Sequence, residues 1–217
     1  VYYIPEEQQL AAAYYRNTIT HYFLAAALGE IALAGCVDDI ALPDEAGLRQ
    51  RVEALRDLFK FEFFFRPREE VWQQVLDELA GRYPHWQDGK TSLHKQLRQR
   101  PPRFGHAILR SIAEAYHVTA ATLCSLEGEP ISDEKAFTRD LLDQGQEMLL
   151  RRQISGASAI SRDLFSTGLR LAEHRQLLSG GASDLVSRRT LFAEETRRIM
   201  TAIDLLQECS DSERQQD

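Results

Sequence analysis

A chain of 217 residues with 43% hydrophobic and 27% charged residues is long and apolar enough to bury a sizeable core, which excludes wholesale disorder. Its net charge of -7 argues against a nucleic-acid binder, which is normally basic overall. Seven prolines and twelve glycines are few, so long helices are permitted.

Pro5-Glu6-Glu7 reads as a first helical turn, with proline tolerated there and acids favoured by the helix dipole. From there to about Gly35 nothing breaks a helix. Its second half, Ile19 to Ala34, is apolar almost all round, interrupted only by Thr20, His21, Gly29 and Glu30. Sixteen residues with two ionisable groups are short and polar for a membrane span, so a buried central helix is expected. Pro43-Asp44-Glu45 opens a second helix, with Leu48, Val52, Leu55 and Phe59 at helical spacing. Alternating Phe59, Phe61, Phe63 and Phe65 then read either as a short strand or as an aromatic plug that ends the helix.

A third helix, Glu69 to Ala80, turns Val71, Val75, Leu76 and Leu79 inward and stops at Gly81 and Pro84. Pro84, Gly89, Pro101 and Pro102 make residues 83–103 an expected irregular joint between a helical part at 1–82 and another at 104–207, both within one domain. Phe104 to Leu126 is helical again, with Ile108, Ile112, Ala115 or Tyr116, Thr119 and Leu123 as its core stripe. Ser132-Asp133-Glu134 starts a further helix carrying Phe137, Leu141, Met148 and Leu149. Two more are expected, from about Ser158 to Leu178 and from Ser183 or Asp184 to Leu206. The tail at 208–217 holds no apolar residue except Cys209 and is expected to fray. The fold class is all-α, a multi-helix domain with a long buried first helix.

Chemistry has few footholds. Cys36, Cys124 and Cys209 are far apart and form neither a disulfide framework nor a CxxC pair. No two histidines stand at i, i+4 with a third ligand nearby, and there is no Gly-x-Ser-x-Gly elbow or phosphate loop. No metal and no cofactor are expected. One charge pattern stands out: between Gly89 and Ala113 lie Lys90, Lys95, Arg98, Arg100, Arg103 and Arg110, with no acidic residue among them. Such a segment either faces anionic headgroups or phosphates, or is a solvated joint paired with acids elsewhere. The chain opens on Val1 with no signal peptide and no initiator Met, which fits a processed, truncated or excised fragment.

The opening stretch Ile4-Pro5-Glu6-Glu7, followed by Ala13-Tyr14-Tyr15-Arg16-Asn17-Thr18-Ile19-Thr20-His21-Tyr22-Phe23, resembles the start of the C-terminal region of glycerol-3-phosphate acyltransferases. These are long, membrane-associated enzymes of bacteria and mitochondria, related to the dihydroxyacetone-phosphate enzymes. Leu55 to Phe63, Leu109 to Val118 and the closing helices with Leu149-Leu150-Arg151-Arg152 resemble the same region in the same order. The resemblance implies acyl transfer from acyl-CoA or acyl-ACP to the sn-1 hydroxyl of glycerol 3-phosphate, in phospholipid synthesis. It also implies that the chemistry sits in a separate upstream catalytic domain, marked by a histidine with an aspartate after four intervening residues. The residues in that place after the six histidines here are Ala26, Lys90, Gln99, Ser111, Thr122 and Ser179, so the dyad is missing and the chain alone should be inactive.

The implied role is supportive: a non-catalytic helical domain that packs against the catalytic one, meets glycerol 3-phosphate and the acyl donor only through it, and touches membrane at most peripherally. On the cytoplasmic side, a bacterial cell membrane fits better than a mitochondrial outer membrane. Tyr15, Arg16, Asn17 and His21 carry the closest match, and Asn17 and His21 are i, i+4 neighbours. They either pin neighbouring helices or line a substrate pocket or domain interface. Two other classes share the composition, a helical scaffold for protein partners and a TetR-type ligand-sensing regulator. The second needs a basic helix-turn-helix near its start, where the first 35 residues here hold one Arg and no Lys.

Overall fold

The structure, a computed structural model, describes residues 6–37, 44–102, 104–180 and 183–214, leaving out the side chains of 6–19, 90–92 and 213–214. Among the described residues there is no strand, and the helices run α1 (Glu6–Val37), α2 (Glu45–Leu58), α3 (Arg68–Arg82), α4 (Lys90–Gln99), α5 (Gly105–Ser125), α6 (Glu134–Leu150), α7 (Arg162–His174) and α8 (Leu185–Arg214). A single 3₁₀ turn, Ala157–Ala159, precedes α7.

Helix ends follow local chemistry. Asp44 caps α2 by accepting the Gly47 N–H at 2.6 Å, and Asp133 caps α6 by accepting from Lys135 and Ala136. At the C-terminal ends of α6 and α7 the chain turns back through left-handed residues, Arg152 (φ 58°) and Gln176 (φ 56°). The next N–H then reaches five residues back, Gln153 to Met148 and Leu177 to Ala172, both at 2.8 Å. Neither position holds the glycine that this backbone favours, at a cost of roughly 1 kcal/mol each.

The core is one continuous apolar cluster, and α1 and α5 are its axes. α1 packs against α2, α3, α4, α5 and α8, while α5 packs against α1, α6, α7 and α8. The stretch Thr20–Val37 is long and apolar enough to cross a membrane, but 67% of it is buried inside this bundle. Leu28 and Leu33 are wholly buried there, each contributing about 1.5–3 kcal/mol by leaving water. The long first helix, buried over most of its second half, and the all-α class are therefore both present.

The phenylalanine run forms a plug and not a strand. Phe59 is fully buried with its ring centroid 6.0 Å from that of Tyr116, and the Glu62 and Phe63 N–H groups both return to the Phe59 carbonyl. Phe61, Phe63 and Phe65 are half-buried, and Phe64 is fully exposed. Inside the plug the Glu62 carboxylate accepts from Thr167 Oγ1 and from the Tyr116 hydroxyl at 3.4 Å. Burial raises its pKa, and these two hydrogen bonds only partly offset that.

Three expectations need correction. Residues 83–103 are irregular only in part: between turns at 83–89 and 100–102 they contain α4, whose Leu93 and Leu97 are wholly buried one turn apart, beside buried Tyr83 and Trp86. The prolines and glycine flank that helix; they do not dissolve it. The tail does not fray from residue 208, because α8 continues to Arg214 and buries Cys209 and Ser210. Finally, the single helix expected over 158–178 is interrupted by a tight turn at Ile160, where the Ser161 N–H returns to the Ala159 carbonyl, and by extended backbone at Ser161, so α7 starts only at Arg162.

The two axes meet closely at Gly105. A Cβ there would lie 2.7 Å from Leu206 Cδ1 and 3.0 Å from Ile31 Cγ1, whereas at Gly81, inside α3, it would meet nothing within 4 Å. Gly105→Ala should lose about 1–3 kcal/mol by overpacking, and Gly81→Ala should gain about 0.5–1 kcal/mol of helix propensity. Urea unfolding of the two variants checks both signs. A second expectation concerns Glu62. A carboxyl whose folded pKa is raised binds its proton more tightly when folded, so its stabilising contribution is full below the unfolded value near 4.5 and is lost as pH rises through the folded value. Denaturation midpoints between pH 4 and about 7 should therefore decline more steeply for the native chain than for Glu62→Gln.

Candidate functional site

The residues singled out from sequence fall into two groups, one on α1 and one along α4 and the start of α5. On α1, His21, Tyr22 and Phe23 are exposed, Tyr22 at 74%. His21 and Tyr22 lean together with ring centroids 3.9 Å apart. Phe23 stacks on Phe104, at 4.9 Å and 14° between planes. Phe104 immediately precedes α5, so this ledge lies where α1 meets the end of the basic segment. Tyr15, Arg16 and Asn17 lie on the helical backbone of α1, two and one turns before the ledge, with side chains outside the described set.

Behind the ledge is a buried carboxylate. Glu30 is 1% exposed, and its Oε2 accepts the N–H groups of Phe104 at 2.8 Å and Gly105 at 2.7 Å. A carboxylate at a helix start satisfies donors that no helical carbonyl can reach and also complements the dipole. Arg82 Nε lies 3.8 Å from Glu30 Oε1 and donates to the Tyr83 hydroxyl at 3.1 Å. Arg82 also donates to the Pro101 carbonyl, and Arg100 donates to the Arg82 carbonyl at 2.9 Å. Burial raises the Tyr83 phenol far above its ordinary range, and Glu30 nearby adds to the effect, so Tyr83 is a neutral hydroxyl. A pocket of about 310 Å³ opens here, with Glu30, Asp77, Glu78, Arg82, Tyr83 and Phe104 in its wall.

The basic segment divides. Lys95, Arg98 and Arg100 are exposed, and Arg98 Nε donates to His94 Nε2 at 3.1 Å. The Lys90 side chain and Arg103 lie outside the described residues. Arg110 is not part of that surface. It is half-buried on α5, bonded to Asp204 at 2.7 Å and 3.7 Å from Glu114. Glu114, 1% exposed, in turn accepts from the backbone and hydroxyl of Ser155 at 2.8 and 2.5 Å. This network ties α5 to α8 and to the turn after α6.

The other histidines are dispersed. His117 Nδ1 is 3.1 Å from Thr196 Oγ1, and burial together with Arg197 lowers its pKa against the pull of Glu114. His174 Nδ1 is 3.2 Å from Lys60 Nζ, and His85 Nδ1 is 3.4 Å from Asp88. Among the described residues, no three His, Cys, Asp or Glu side chains gather as a metal site. Chemically, the ledge and pocket can bind and position; they hold no nucleophile paired with a base. Glu30, Arg82, Tyr83 and Phe104 were not singled out from sequence. Glu30 had one signal, a lone carboxylate in an apolar helix, which must find partners somewhere.

The sequence model of the family described as the glycerol-3-phosphate acyltransferase C-terminal region matches residues 1–181. Relatives named as the acyltransferase plsB1, from Mycobacterium bovis and from two strains of Mycobacterium tuberculosis, are 34% identical over 216 residues, covering 94% of this chain. The chain spans about a third of the length of these relatives, 35% in each case. No solved structure matches it.

Glu30→Ala should cost about 3 kcal/mol, since two backbone donors at the start of α5 lose a charged acceptor inside the fold. Thermal unfolding measures the loss. Exchange of the Phe104 and Gly105 amide hydrogens should accelerate with it, while amides in α7 exchange at rates set by global stability alone.

Proposed function

The chain belongs to the family of glycerol-3-phosphate acyltransferase C-terminal regions, and from that premise we propose that it is the non-catalytic helical domain of such an enzyme. Its role is to support acyl transfer from acyl-CoA or acyl-ACP to the sn-1 hydroxyl of glycerol 3-phosphate, at the start of phospholipid synthesis. In this reading the reaction runs in the catalytic domain upstream. There an imidazole takes the proton from the attacking hydroxyl, the oxygen forms the new ester bond, and the thiolate of the donor leaves. The present chain walls one side of that site and holds it in shape.

The observation that carries this reading is the exposed ledge at His21, Tyr22 and Phe23. Aromatic surface in that position, within the family-matched stretch and backed by a polar pocket, suits burial against another domain. Exposure of His21 also favours the interface over internal pinning, because its described ring contact is to its own neighbour on α1. Lys95, Arg98 and Arg100 add a cationic flank suited to peripheral contact with the cytoplasmic face of a bacterial membrane.

Acyl transfer to glycerol 3-phosphate by the upstream portion tests the proposal, measured with and without this chain, the chain alone being the blank. Addition should restore or raise the rate. An upstream portion that neither binds the chain nor gains activity would return the reading to a helical scaffold. In the same assay His21→Ala should weaken stimulation several-fold, while its thermal stability stays within about 0.5 kcal/mol of the native chain, as for other surface substitutions.

A further inference from the structure

A second concavity lies elsewhere on α1. It is a groove of about 450 Å³ between α2 and α8, both of which pack on α1. Its floor is Ile31, Ala32 and Gly35, and Leu55 and Ile199 extend the apolar lining up the two walls. Ala54 on one wall and Ala202 on the other keep both backbones close to the groove surface. Along α8 the lining residues Leu191, Glu194, Arg198 and Ala202 stand at helical spacing, a face about 16 Å long at 1.5 Å per residue. Leu191 is 63% exposed. Glu195 of the α8 wall is bonded to Arg175, which also bonds to Asp57 of α2 at 3.2 Å.

Size and chemistry select the occupant. The α8 wall of the groove is three helical turns long, and Leu191, exposed on that wall, offers an apolar anchor beside a floor that Arg51 partly covers at Gly35. Its rims carry charges of both signs, Arg51 and Arg197 against Glu194, with Arg198 and Glu194 themselves 3.7 Å apart. An anionic lipid would favour a rim of one sign, whereas an amphipathic helix brings a narrow apolar stripe flanked by acids and bases. The relatives carry roughly two thirds of their length beyond the span matched here, so there is chain to supply it. We propose that the α1–α2–α8 groove seats an amphipathic helix from the part of the parent acyltransferase outside this chain. The inference rests on the preceding reading of the chain as one domain of that enzyme.

The test is site-specific photo-crosslinking in the full-length parent protein. Thr201, exposed on the α8 wall, is replaced by p-benzoylphenylalanine, with the same replacement at exposed Arg139 on α6 as a control. Mass spectrometry should find Thr201 joined to a helical upstream peptide and Arg139 joined to none. Leu191→Asp should reduce the Thr201 cross-link about tenfold with the circular dichroism spectrum unchanged. A cross-link from Thr201 to lipid or to a second copy of the chain, or none at all, overturns the proposal. If upstream residues still stimulate with this chain while Thr201 captures nothing from them, the groove assignment alone fails. If stimulation is absent as well, the parent reading fails with it.

Discussion

One buried carboxylate fixes how the two axial helices meet. α1 is so apolar in its second half that packing alone would let it slide or rotate among its neighbours with little penalty. Glu30 removes that freedom. A carboxylate inside the bundle must be satisfied, and it is satisfied by the first amides of α5, 74 and 75 residues further along the chain. That pairing sets both the depth of α5 against α1 and its starting point. The close approach at Gly105 then follows, because a helix whose first amide is held against Glu30 leaves no room for a Cβ between Ile31 and Leu206. Arg82 shares the same carboxylate and carries the constraint into the end of α3 and the Pro101 turn.

The same economy governs the other buried polar groups. Arg189 is fully buried and donates to the Leu177 and Glu127 carbonyls, just past the ends of α7 and α5. A cation there complements two helix C-termini at once. Glu114 with Ser155 and Arg110 with Asp204 fasten α5 to what surrounds it. Each is a tie between elements. Several charged residues of this domain are thus engaged in its architecture, while the ledge is aromatic, the α4 flank is cationic and two concavities open between helices.

Helix existence was legible because Pro43, Gly81, Pro84, Gly128 and Pro130 fall between stretches of clear 3.6-residue periodicity. What fell short was the inference from breakers to an irregular joint without a helix of its own. Between Pro84 and Pro101 the breakers crowd a ten-residue helix whose stripe is only Leu93 and Leu97, too little periodicity to register beside so many turn residues. At the other end, residues 208–214 offered only Cys209 as an apolar group. A helix already anchored through Leu206 continues cheaply, and small residues such as Cys209 and Ser210 bury well in it. The site shows the same limit. His21 and the charge-poor stretch around Glu30 could be picked out one by one, but the partners of Glu30 are backbone amides that carry no sequence signature.

α1 joins the ledge and the groove. Tyr22 and Phe23 form the ledge at one level of the helix, and Ile31, Ala32 and Gly35 form the groove floor little more than two turns further on. Glu30 lies between them and is bonded to α5. A contact made at either surface therefore loads a single rigid element whose registry with the core is fixed by a buried ionic anchor, with little slack for the strain to dissipate. Rigidity of that kind is what the proposed bracing role requires, since a reacting site displaced by even an ångström loses much of its positioning advantage. The apolar length of α1, which by composition alone would serve to cross a membrane, is spent here on holding the two surfaces at a set distance.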